Sequence, residues 1–123
     1  MIAVAQQHVQ AAKLLIDAGG NPNACNSIGR TPLMFASHYG NKPLVKLLLA
    51  SGADPNLRGF ESESLPLAAA AMSGHSDIVR LLLDAGADPM LVDGSGKPPL
   101  DLAEGAGHGE VAATLRLKTL RKR

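Results

Sequence analysis

His8, His75 and His108 recur in one column of this 123-residue chain, and Asn41 fills the same column between the first two. Imidazoles in register are a common beginning of a metal site. Repetition along a chain, however, puts such residues on successive packed helices, about 10 Å apart. A shared zinc ion needs nitrogens about 2.1 Å away. The column is therefore read as the N-cap of a second helix in each unit, with no metal. His38 lies off the column beside Tyr39 and is expected at the surface. Cys25, in "NPNACN", has no histidine patterned near it and reads as a packing or turn residue, not a nucleophile. Asp17, Asp54, Asp84 and Asp88 recur at turns and helix ends and make no acid–base pair. "GSGKPP" at Gly94–Pro99 lacks the G-x-x-x-x-G-K-[ST] spacing of a phosphate loop and reads as a hairpin loop. Catalytic residues and cofactors are thus both expected to be none.

Charge nearly balances, with 12 Lys and Arg against 11 Asp and Glu, so the whole chain does not read as a nucleic-acid binder. The imbalance is local. Arg116, Lys118, Arg121, Lys122 and Arg123 form a basic end. They complete a last helix, whose C-terminal dipole favours cations, or contact nucleic acid or an import receptor, or mark an artificial end. Aromatics for base stacking are absent there. A lone cysteine excludes an internal disulfide and favours a reducing compartment, hence an intracellular protein, cytoplasmic or nuclear. No apolar run approaches the ~20 residues that span a bilayer. The apolar content is Leu and Ala with only three aromatics, Phe35, Tyr39 and Phe60, which suits closely stacked helices.

What positions these residues is a repeat. "LLIDAGGNPN" at 14–23 returns as "LLLASGADPN" at 47–56 and "LLLDAGADPM" at 81–90. "TPL" at Thr31–Leu33 returns as "LPL" at 65–67 and "PPL" at 98–100, and "GN" at Gly40 as "GH" at Gly74 and Gly107. All three markers keep spacings of 33 or 34 residues, the extra one falling within 57–64. In one unit Thr31 can cap a helix that begins at Pro32 and stops at Gly40. Asn41 can cap a second helix whose wide apolar face is Leu44, Val45, Leu47, Leu48 and Leu49, stopped at Gly52. Two short helices cannot bury that face alone, but stacking pair upon pair can. Ala68, Ala69, Ala70 and Ala71 permit close approach. Phe35 is assigned to the core.

"GRTPLMFASHYGNKPLVKLLLASGADPN" at 29–56 resembles the ankyrin repeat, and the resemblance covers nearly the whole chain. It implies an all-α solenoid of stacked helix–turn–helix pairs joined by β-hairpin-like loops, in units 1–25 (partial), 26–58, 59–92 and 93–123. The family's His after T-P-L is Met34, Ala68 and Asp101 here, and its Thr survives only at Thr31, which implies modest stability. Glu63 replaces the turn glycine kept at Gly29 and Gly96, so an irregular finger is expected around Arg58–Ser64. Arg116 in place of a third leucine marks a polar capping unit, while the exposed start at Ile2–Val4 suggests a missing N-terminal neighbour. Asn23 and Asn56 match a turn asparagine that is hydroxylated in some family members; plain turn chemistry is preferred.

The resemblance also implies a non-catalytic module that holds a protein partner on a concave face of hairpin tips and first helices. Carried over by position, that face comprises Ser27, Ile28, Arg30, His38, Tyr39, Phe60, Glu61, Glu63, Met72, Ser73, Ser95 and Lys97, with Glu104 beside them. Tyr39 and Phe60 are its expected anchors. A monomer is expected. "PNACNSIGR" at 22–30 is similar to the second unit of the small cell-cycle kinase inhibitors, which makes a kinase inhibitor one alternative and a regulatory piece of a larger protein another.

Overall fold

Residues 31–57, 65–92 and 96–122 are described in the computed structural model, side chains through 118. They form six helices, α1 (Pro32–Tyr39), α2 (Lys42–Ala50), α3 (Pro66–Ser73), α4 (Ser76–Asp84), α5 (Pro99–Gly105) and α6 (Gly109–Lys122), with no strand among the described residues. The expected finger at Arg58–Ser64 and the first unit lie outside them.

Local chemistry sets each boundary. Thr31 is extended, at φ −90° and ψ 162°, and its hydroxyl accepts from the Met34 N–H at 3.3 Å. Leu65 and Pro98 hold the same place before α3 and α5 and give no side-chain cap, leaving Pro66 and Pro99 to preset the first turn. First helices end on left-handed glycines, Gly40 at φ 75°, Gly74 at 79° and Gly107 at 78°. Each lets the next N–H reach back five residues: Asn41 to Ala36 O at 2.9 Å, His75 to Ala70 O at 3.0 Å, His108 to Ala103 O at 2.9 Å. Gly52 and Gly86 likewise turn the chain after α2 and α4, each 9 residues long. Thr119 stands where the next such glycine would fall, and α6 runs on for 14 residues to Lys122, so the basic end does continue a helix.

The helices form two files. α3 packs between α1 and α5, α4 between α2 and α6, and within each unit the first helix packs on the second. The core runs along the stack as columns of matched residues: Leu44, Ile78 and Val111; Val45, Val79 and Ala112; Leu48, Leu82 and Leu115. Ala36, Ala70 and Ala103 form the equivalent column on the first helices, where side chains this small let the helices approach closely. Met34 and Ala68 are buried, whereas Asp101, in the same column, is exposed. Arg116, where α2 and α4 carry Leu49 and Leu83, is exposed and ties α6 to Glu104 of α5. Lys42–Asp77 (3.5 Å) and Arg80–Glu110 (3.3 Å) link the second helices, and Arg80 also lies 3.9 Å from Asp77 within α4; these pairs are about half exposed or more, each worth only a few tenths of a kcal/mol.

Ser37 is a local conflict. Its hydroxyl is fully buried and has no hydrogen-bond partner, whereas the matching residue of the next unit is the buried Ala71. Desolvating an unsatisfied hydroxyl costs about 1 kcal/mol or more. Ser37→Ala is expected to raise stability by about 1 kcal/mol, read as a higher urea midpoint at unchanged slope. A lower midpoint would contradict this account.

Candidate protein-interaction surface

The first helices leave one side uncovered. Phe35 (37% exposed) and Tyr39 (70%) lie one turn apart on α1, with rings parallel at a centroid distance of 6.3 Å. The His38 ring meets Tyr39 edge-on at 4.7 Å. On α3, Met72 is 49% exposed, and Ser73 Oγ approaches His38 Nδ1 at 3.4 Å, so the two helices present one continuous patch. Lys97 is exposed before α5. Thus His38, Tyr39, Met72 and Ser73 come together. Ser27, Ile28, Arg30, Phe60, Glu61, Glu63 and Ser95 lie outside the described residues, as do Cys25 and Asn23. Glu104 is engaged by Arg116.

Phe35 corrects the sequence assignment. It is not core: Leu33, Met34 and Ala36 take the inward positions of α1, and helical geometry turns position 35 outward with Tyr39 four residues on. Its ring extends the exposed aromatic patch.

The histidine column is corrected too. Asn41 does cap α2, accepting from the Leu44 N–H at 3.3 Å. His75 occupies the N-cap of α4, yet its side chain makes no capping bond there. Its ring reaches back into the preceding unit, with Nε2 3.0 Å from the His38 carbonyl. His108 does the same to the Met72 carbonyl at 3.1 Å. Each ring lies against a glycine of the preceding unit: a Cβ on Gly40 would stand 2.7 Å from His75 Cε1, and one on Gly74 equally close to His108. The histidines are therefore joints between units, and Nε2 carries the donated proton, since a carbonyl can only accept.

Sequence reasoning also missed a second joint. The Asn56 amide donates to Gly86 O at 3.0 Å and accepts from the Asp88 N–H at 2.8 Å, tying one turn to the next. Asp54 and Asp88 are turn residues as expected, each accepting from the N–H two residues on. The recurrent G-H pair and turn asparagine were the available signals. Among the described residues, no group of three His, Cys, Asp or Glu is placed to hold a metal ion, and no helix is long and apolar enough to cross a membrane.

Helical pairs stacked in single file, joined only to their neighbours and exposing an aromatic patch on one file, define a repeat solenoid built to contact other macromolecules. The chain belongs to the ankyrin-repeat family: a family model for ankyrin repeats (three copies) matches residues 1–59, and one for ankyrin repeats (many copies) matches 36–83 and 67–116. It is a protein-interaction module. Similar curated proteins include cyclin-dependent kinase 4 inhibitor B of Mus musculus, 36% identical over 95% of this chain and 89% of that protein. The Bos taurus inhibitor B is 38% identical over 93% and 86%. Cyclin-dependent kinase inhibitor 2A of Homo sapiens is 39% identical over 93% and 72%.

Proposed function

We propose that this chain is a non-catalytic inhibitor that binds a cyclin-dependent kinase through its first-helix face. The observation that carries the reading is end-to-end similarity to cyclin-dependent kinase inhibitors, spanning 95% of this chain in the mouse relative. The patch of Phe35, His38, Tyr39, Met72 and Ser73 supports it, because exposed aromatics with an apolar neighbour are the usual anchors of a protein interface. Ser27, Ile28, Arg30, Phe60, Glu61, Glu63, Ser95 and Lys97 complete the proposed partner-binding set, with Phe60 as a second anchor beside Tyr39. The chain acts as an intracellular monomer and needs no cofactor: inhibition comes from occupying the kinase surface.

The test is direct. Purified chain is titrated against cyclin-dependent kinase 4 by calorimetry, and kinase activity is followed in parallel. Saturable binding with loss of activity is expected. Phe35→Ala combined with Tyr39→Ala should weaken binding at least about tenfold, near 1.4 kcal/mol, with the helical spectrum unchanged, since both side chains are exposed. Absence of binding refutes the kinase reading, and full affinity in the double variant refutes the site.

A further inference from the structure

The two helices that carry the exposed patch bear no formal charge. α1 reads PLMFASHY and α3 reads PLAAAAMS, without an Asp, Glu, Lys or Arg between them. Among the described residues, charged side chains of these two units are found on the second helices: Lys42 on α2 pairs with Asp77 on α4, and Arg80 on α4 pairs with Asp77 and with Glu110 on α6. On α5, Glu104 is matched by Arg116. The uncharged file nonetheless exposes Phe35, Tyr39 and Met72. Ala69, in α3, has the register that Phe35 has in α1, and it is only partly buried. Its side chain is far smaller than the ring at the matching position of α1, and it lies within a turn of Met72.

A partner's ammonium or carboxylate pressed onto these two helices would shed its water and meet no counter-charge on either of them. An apolar side chain would gain from the same desolvation. We infer that the partner segment seated on α1 and α3 is itself uncharged, and that it sets an aromatic or long aliphatic side chain over Ala69 between the Phe35–Tyr39 stack and Met72. This deepens the interaction reading but does not depend on the partner being a kinase.

The test selects peptides from a random displayed library against the full chain. Two variants serve as counter-targets: Ala69→Asp, and Met72→Glu, whose exposed position spares the fold. Circular dichroism verifies both. Enriched peptides should carry one bulky apolar anchor in an uncharged core. Their affinity should change less than about threefold between roughly 50 and 500 mM NaCl. Either folded variant should weaken them at least about tenfold, about 1.4 kcal/mol. Peptides enriched in Lys, Arg, Asp or Glu, affinity that collapses with salt, or failure to obtain any peptide that distinguishes the chain from Met72→Glu would each overturn the inference. None of these outcomes bears on whether the chain binds cyclin-dependent kinase 4, and a negative kinase titration does not alter this selection.

Discussion

Gly74→Ala is expected to destabilise the fold by about 3 kcal/mol. Two separate costs combine. At φ 79° an alanine pays about 1–2 kcal/mol for a left-handed backbone. Its Cβ would also stand 2.7 Å from the His108 ring, forcing the imidazole away from the Met72 carbonyl and losing a hydrogen bond worth about 1 kcal/mol. The costs can be separated. Gly86, at φ 101° with no atom within 4 Å of an added Cβ, should show only the backbone cost on Gly86→Ala. In a His108→Ala background, Gly74→Ala should likewise fall to the backbone cost, a coupling of about 1 kcal/mol in the double-mutant cycle. Equal urea midpoints for Gly74→Ala and Gly86→Ala would show that the imidazole contact contributes nothing.

Leu82→Ala should cost about 3 kcal/mol, by lost transfer energy and a residual cavity. Leu82 is fully buried in α4, in one column with Leu48 of α2 and Leu115 of α6. Because the core is a single file, the cavity opens towards neighbours on both sides and no deeper layer can collapse into it. Leu81, adjacent in sequence but only partly buried, is the control, and Leu81→Ala should cost about half as much or less. Thermal and urea denaturation of both variants measure the difference. A loss under about 1 kcal/mol at position 82 would mean that the stacked columns do not carry the stability assigned to them.

These expectations show which physics a sequence makes legible. The period could be read because it rests on residues with narrow backbone roles. Gly40, Gly74 and Gly107 must all reach positive φ, and Pro32, Pro66 and Pro99 all sit in a first helical turn. Four of the five residues of the exposed patch, His38, Tyr39, Met72 and Ser73, could be placed on the first helices from that register. Phe35 did not, because composition suggests burying an aromatic, while only the helix's angular position shows that Met34 already fills the core. His75 and His108 were placed correctly at the starts of second helices but aimed wrongly. An imidazole at that position can turn either to its own helix or to the neighbour, and the choice depends on the space that Gly40 and Gly74 leave in a different unit. Ser37 was silent for a similar reason, since its burial comes from the stack and not from its own helix.

The joint between units has a genetic corollary. Its glycine comes from one unit and its imidazole from the next. A stretch of coding sequence from His75 to Gly107 therefore begins with one half of a joint and finishes with the other. Tandem copying of that cassette in frame would furnish every new seam with both partners of this glycine–imidazole joint at once.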